Sequence, residues 1–183
     1  GRVFRDNNVT PNGTYQSGTD TPISGVTLTL SGTDFGADGV AGGGDDSAVS
    51  FTTTSDVLGN YAFTGLNPGS YTVTEPTQPS GTANGITSAG TVSGGGGGTA
   101  GAATALTTAP SAVSNIILLR SGATVASSPN NNFAEVVPSS IAGTIFPDQN
   151  NNGTQNGVDT GISGVTVTLS GTDVNGNSVT ATT

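Results

Sequence analysis

The chain has no cysteine, histidine, methionine or tryptophan, and its three basic residues are Arg2, Arg5 and Arg120, so lysine is missing as well. Each absence removes a class of chemistry. Without Cys there is neither a disulfide nor a thiolate metal site, and without His or Lys there is no imidazole base and no Schiff-base amine. Three Arg against 12 acidic residues leave a net charge of -9 and a pI near 4.1. That balance argues against nucleic acid, whose phosphates need Lys and Arg, and favours cations. No stretch approaches the roughly 20 apolar residues that cross a bilayer, so no membrane insertion is expected of this segment. The start at Gly1 shows no charged-then-apolar signal segment.

What is present favours strands. The sequence is 32% hydrophobic and 5% aromatic, with 30 Gly, 9 Pro and abundant Thr and Ser. This mix suits short strands and turns better than helices, so the expectation is an all-β protein. With so few Phe and Tyr, the core must be built mostly of Val, Ile and Leu, in a thin, sandwich-like packing.

The stretch from Asp148 to Leu169 organises the rest. Oxygen-bearing side chains stand at Asp148, Asn150, Asn152, Thr154 and Asn156, Gly153 sits among them, and Asp159 closes the run. This is the spacing of a twelve-residue loop that wraps one Ca²⁺. The alternation Val165, Val167, Leu169 then marks a half-buried strand. A similar passage carries Asp6, Asn8, Asn12, Gly13 and Asp20 into Val26, Leu28 and Leu30. Phe146 answers Phe4, Gly153 answers Gly13 and Ile162 answers Ile23, a repeat period of about 140 residues. The chain is therefore expected to hold one unit over residues 1–138 and the opening strands of a second, incomplete unit over residues 139–183, with both ends looking like cuts.

Within the first unit, Gly1 to Arg5 reads as the remnant of a first strand, because the matching Ile141 to Phe146 is apolar and begins earlier. Val26, Leu28 and Leu30 form the inward face of the next strand, and Val49 to Thr54 has the β-branched content of a third. Tyr61-Ala62-Phe63 and Tyr71 to Glu75, around a Pro68-Gly69 turn, read as a hairpin. Residues 81–110, with Gly94 to Gly98 consecutive, form a low-complexity Gly-rich insert, mobile or ordered by a neighbour, in which Gly85 to Val92 offers one strand. Ile116 to Leu119 and Asn132 to Val137 complete the unit. Pro138-Ser139-Ser140 joins it to the next with almost no linker, which implies a stiff array.

Three features together carry a family resemblance: the Asp-x-Asn-x-Asn-Gly loop, the Gly-x-x-Gly-Val-x-Val-x-Leu strand from Gly161 to Leu169, and the pattern of Gly59, Tyr61, Phe63, Leu66, Pro68, Gly69, Tyr71, Val73 and Glu75. They resemble the B-type repeat of serine-aspartate surface proteins, the SdrD B-like domain, a relative of the Cna B-type fold. The resemblance implies an immunoglobulin-like, Greek-key β-sandwich in tandem repeats, a stalk or matrix role at the cell surface, and Ca²⁺ in the loop. The sequence departs from the family at Asn156, where Asp is usual, at Asp159, where Glu is usual, and in a longer first loop between Asp6 and Gly13. Each departure weakens a Ca²⁺ site by removing charge, shortening a ligand or altering the wrap. Related Cna B-type domains often carry an internal Lys–Asn isopeptide bond assisted by an acid, and Glu75 sits where such an acid stands. With no Lys in the chain that bond is excluded, which leaves bound metal as the staple.

Each sharp reading has a plainer rival. Asn and Asp in the loops at Asp6 and Asp148 also cap turns, with Gly supplying positive φ. Asp34, Asp38, Asp45 and Asp46 read as a solvated acidic connection rather than a second cation site. Glu75 and Glu135 invite comparison with glycoside hydrolysis, yet both lie on alternating strands without aromatic platforms, so they read as solvated strand ends and no enzyme is expected. The sequons at Asn8, Asn12 and Asn152 fall in the proposed loops and are what a Thr-rich chain throws up by chance. Sheet edges without Lys guards can pair with neighbouring repeats or with copies of the chain itself. The resulting expectation is a secreted or cell-surface structural repeat, a Ca²⁺-stiffened stalk, filament or matrix fibre. The alternative is an adhesin module whose loops, such as residues 81–110, bind a surface ligand on a host or neighbouring cell.

Overall fold

The computed structural model describes residues 1–95, 98–104, 110–173 and 176–183, and every regular element among them is a β-strand. In chain order these are β1 (Val3–Arg5), β2 (Thr21–Pro22), β3 (Thr27–Asp34), β4 (Ser47–Thr54), β5 (Gly69–Glu75), β6 (Ala83–Ser88), β7 (Ser93–Gly94) and β8 (Gly98–Thr99). They are followed by β9 (Ala102–Thr104), β10 (Ser111–Leu118), β11 (Arg120–Ser121), β12 (Thr124–Ser127), β13 (Asn132–Val136), β14 (Thr168–Thr172) and β15 (Ser178–Thr182). The chain divides into two compact units, Gly1–Pro138 and Ser139–Thr183.

The first unit is a sandwich of two sheets and also carries a small three-stranded sheet of order β11-β12-β7. Leu28 and Leu30 alternate with Thr27 and Thr29 along β3, so one face of that strand is apolar, and it is buried. On β5 the same alternation buries Tyr71, Val73 and Glu75. Strand order in this sheet is β4-β3-β5-β10-β8, with β9 also paired to β10. Val113 and Ile116 of β10 are both buried although alternation would turn one of them outward. A register slip against β5 between these two residues, with Asn115 at φ 59°, is the bulge that brings both inside.

The opposing sheet has the order β2-β1-β13-β6, with β1 parallel to β13 and Val3, Phe4 and Arg5 opposite Phe133, Ala134 and Glu135. Val3 and Phe133 from this sheet meet Leu28, Leu30, Tyr71, Val73, Val113 and Ile116 from the other in one core. Each fully buried Phe or Leu contributes roughly 1.5–3 kcal/mol. Phe4 points to the other face of its sheet and packs edge-on against Tyr15, with ring centroids 5.4 Å apart. This is the immunoglobulin-like sandwich that the strand pattern and the resemblance lead one to expect.

Local departures have physical causes. Tyr61-Ala62-Phe63 is no strand and makes no hairpin with β5, whose partners are β3 and β10. Its backbone is engaged elsewhere: the Tyr61 N–H donates to the Gly1 carbonyl at 3.0 Å, and the Tyr61 hydroxyl donates to the Asn131 carbonyl at 2.6 Å. Alternation there records side chains sent into the core, not a ladder. The Gly-rich stretch 81–110 is not wholly an insert, because β6 starts at Ala83 and forms the edge of the four-stranded sheet. Gly96, Gly97 and residues 105–109 of that tract lie outside the described residues.

In the second unit β14 pairs antiparallel with β15, and mutual backbone hydrogen bonds between Val167 and Thr183 extend the pair. Val165, Val167 and Leu169, expected to be half-buried, are exposed, and Ile141 to Phe146 forms no strand. In the first unit β1 is held between β2 and β13, and the Leu28–Leu30 face is covered by the opposing sheet. Among the described residues of Ser139–Thr183 nothing plays those parts. The local bond nevertheless survives: Ile162 N–H donates to the Ile145 carbonyl at 2.8 Å, as Ile23 N–H does to Val3 at 3.1 Å.

Candidate functional site

Asp6 follows β1 directly, and its N–H donates to the Glu135 carbonyl of β13 at 2.8 Å, which pins the start of the loop to the sheet. Its buried carboxylate accepts the backbone N–H groups of Asn8 (3.1 Å), Asn12 (2.7 Å) and Gly13 (2.9 Å), and the side-chain amide of Asn8 (2.8 Å). Burial alone raises a carboxyl pKa; here the donors from Gly13, Asn8 and Asn12 outweigh it and hold Asp6 below the ordinary value. Asp20, also buried, accepts the N–H of Asn7 at 3.0 Å and of Gln16 at 2.7 Å. Gly13 sits at φ 68°, and a Cβ there would lie 2.7 Å from Ile86 Cγ2, so the turn requires glycine.

The second loop repeats much of this arrangement. Asp148 accepts the N–H groups of Asn152 (3.1 Å) and Gly153 (2.6 Å), and Asp159 accepts those of Gln149 (3.1 Å) and Asn156 (3.2 Å). Asn152 Oδ1 takes the Thr154 N–H at 2.8 Å, as Asn12 Oδ1 takes that of Thr14 at 2.8 Å. Gln149 Nε2 donates to the Val158 carbonyl as Asn7 Nδ2 donates to Thr19. The backbone donors of Gly153, Asn152, Asn151 and Asn150 hold Asp148 below the ordinary aspartate value. Asn7, Gln16 and Gln149 were not among the expected site residues, although their positions between the carboxylates are the available signal.

Of the expected ligands, Asp6, Asn8 and Asp20 converge. Asn8 Nδ2 lies 2.8 Å from Asp6 Oδ1 and 3.5 Å from Asp20 Oδ1, so a polar hydrogen donor fills the gap between two buried carboxylates. Turning the Asn8 amide over would present its oxygen to the same gap, and three oxygens would face a hard cation. Asn12, Asn152 and Thr154 do not join in; the first two cap turns and Thr154 accepts the Asn156 amide through its carbonyl at 3.1 Å. Among the described residues no three His, Cys, Asp or Glu side chains cluster, so the chemistry rests on two carboxylates per loop completed by amide and backbone oxygens. That donor set fits Ca²⁺, which takes neutral oxygens readily, better than transition metals, which favour N and S ligands.

Away from the loops, Glu75 and Glu135 are not solvated. Both are fully buried, at 0% and 1% exposure, and the charge of Glu135 acts on Glu75. Gln78 Nε2 donates to Glu135 and to the Thr82 hydroxyl, which in turn donates to the Pro79 carbonyl at 2.8 Å. Burial is the main cause that pushes both carboxyls up, with the neighbouring carboxyl adding to it at Glu75. Alternation on β5 and β13 marked both as possible inward positions, but their charge argued the other way. The acidic connection after β3 behaves as expected of a polar loop: Asp38, Asp45 and Asp46 accept backbone N–H groups of Val40, Ala37 and Gly42.

Fold and loops together define an immunoglobulin-like β-sandwich module with Asp/Asn-rich turns at the end of its first strand. The sequence model of the SdrD B-like domain matches residues 1–115, and the chain belongs to that family. Domains of this kind are structural modules of bacterial surface-anchored proteins rather than enzymes. No curated protein and no solved structure gives a match.

Proposed function

We propose that this chain is an extracellular structural module of a tandemly repeated stalk, filament or matrix fibre, stiffened by Ca²⁺ held in the loops at Asp6 and Asp148. The observation that carries this reading is the shared hydrogen-bond pattern of the two loops, which gathers paired acidic side chains at the same place in each unit. In the first loop Asp6, Asp20 and the Asn8 amide oxygen would hold the ion, and in the second Asp148 and Asp159 would do so. Bound Ca²⁺ would supply positive charge between carboxylates that now depend on N–H donors. Millimolar extracellular Ca²⁺ suffices for weak sites of this type. Thermal unfolding with a chelator and then with excess Ca²⁺ tests the reading: Ca²⁺ is expected to raise the midpoint, and Asp6→Asn with Asp148→Asn to remove the rise. An identical midpoint in both conditions rejects it.

An adhesin role is the second reading. It is favoured by an apolar cavity of about 600 Å³ in the first unit, lined by Tyr61, Phe63, Leu66, Ile116, Leu118 and Val125 among others. A solid-phase screen separates the two, because a pure spacer shows no saturable ligand.

A further inference from the structure

The larger sheet of the first unit ends on β4, and all 8 residues of that strand pair with β3 in an unbroken antiparallel register. Among the described residues no strand pairs with its other side, so alternate N–H and C=O groups face outward along about 26 Å of backbone. The other edges of the two main sheets are short or occupied. β2 has 2 residues, one of them Pro22, while β8 has 2 and β9 has 3. β6 is half-buried, with Gly13 of the first loop against Ile86 and the Gly13 carbonyl accepting the Ser88 hydroxyl at 3.2 Å. β4 has no proline, no charged residue and no bulge, the devices that keep natural edges from pairing.

The inner face of this edge is unfinished. Val49, Phe51 and Thr53 stand opposite Gly32, Leu30 and Leu28, on the face that carries the core. Leu28 and Leu30 are buried, yet Phe51 beside them is 48% exposed, so the cover given by the opposing sheet does not extend to it. Just past the strand, Val57 and Leu58 are exposed as well. A strand added outside β4 would gain a ladder of backbone hydrogen bonds and set an apolar side chain against Phe51.

Charge selects the occupant. Asp45 and Asp46 precede β4 and Asp56 follows it, so the uncharged strand lies between acidic ends. A second β4 laid antiparallel and centred on the first would set Asp45 of each copy opposite Asp56 of the other, two like-charge pairs between chains of net charge -9. An extended segment with basic ends meets an acid at each end instead. We propose that β4 is the docking edge for such a segment of another protein, apolar or β-branched at alternate positions in its middle and carrying Arg or Lys at both ends, which joins the sheet as an added strand over Phe51. The inference deepens the adhesin reading, on which it rests, by placing a ligand at β4 and naming its class; the Ca²⁺ loops play no part in it.

A fluorescent peptide of alternating Val and Thr with Arg at both ends, titrated into the whole chain and followed by anisotropy, tests it. Saturable binding is expected, weakened about tenfold or more when Glu replaces the terminal Arg or when adjacent Pro residues interrupt the middle. Phe51→Lys and Thr52→Lys, which supply the guard this edge lacks, are each expected to weaken it similarly. Thr52 is exposed, so its variant reads the edge even where Phe51→Lys fails to fold. No saturable binding, equal binding of the Glu-ended or Pro-interrupted peptide, or binding indifferent to Thr52→Lys overturns the proposal. A dimer of the chain alone in sedimentation that Thr52→Lys abolishes also overturns it, because the edge then belongs to a second copy. A saturable ligand in the solid-phase screen that ignores Thr52→Lys, with no binding of the peptide, sinks the β4 edge and leaves the adhesin role standing.

Discussion

Asn8 Nδ2 lies within 2.8 Å of Asp6 Oδ1 and 3.5 Å of Asp20 Oδ1, so one amide spans two buried carboxylates that the chain separates by a whole loop. The loop is held shut by donors pointing at acids. Its stability and the cation affinity proposed for it therefore rest on the same side chains.

Removing the central acceptor should cost more than a surface aspartate does. Asp6→Ala leaves the N–H groups of Asn8, Asn12 and Gly13 without their partner, and a loss of roughly 3 kcal/mol is expected from urea unfolding. Asp6→Asn keeps an acceptor and should cost less. Equal effects of the two would mean that the cage contributes little.

The same carboxyl sets an acid limit. Because its donors depress the folded pKa of Asp6, the associated stability is present above the unfolded value of 3.8 and is lost as pH falls through the depressed folded value. Midpoints measured from pH 5 down to pH 2 should decline in the wild type and flatten in Asp6→Asn.

At Asn115 the bulge of β10 needs a left-handed backbone, and the side chain is exposed. Asn115→Gly should be neutral or slightly stabilising, whereas Asn115→Val should cost roughly 1–2 kcal/mol, since β-branched residues resist this conformation. A neutral valine would show that Val113 and Ile116 do not depend on the bulge.

Tyr61→Phe removes the 2.6 Å bond to the Asn131 carbonyl while keeping the ring among Phe63 and Phe133. A loss of roughly 1–2 kcal/mol is expected from unfolding curves, as for a buried acceptor left unpaired. No loss would mean that water replaces the hydroxyl.

Much of the sandwich is legible in the sequence because alternation is a local signal. Leu28 and Leu30, and Tyr71 and Val73, announce strands whose inward faces are buried as expected. Tyr61 and Phe63 show the same alternation without a ladder, because a side-chain pattern does not reveal which backbone partner is in reach; Gly1 takes that place. β6 lies in a Gly- and Thr-rich run where the sequence offers a strand from Gly85 to Val92, which overlaps it, and pairing with β13 sets its bounds at Ala83–Ser88. Asp6, Asn8 and Asp20 were visible as a loop from their spacing. The burial of Glu75 and Glu135 was not, since burial disfavours each charge and their nearness is a matter of the opposing sheets. Val165, Val167 and Leu169 carry the right pattern, but among the described residues of Ser139–Thr183 only β14 and β15 form, and no second sheet covers them.

The central claim is that the two Asp-centred loops take Ca²⁺, and a calorimetric titration of Ca²⁺ into the chelator-treated chain tests it most directly. Saturable binding at or below millimolar Ca²⁺, weakened by Asp20→Asn in the first loop and by Asp159→Asn in the second, is the predicted result. An absence of binding at millimolar Ca²⁺, or binding indifferent to both substitutions, would contradict it and leave the loops as turns closed by their own backbone.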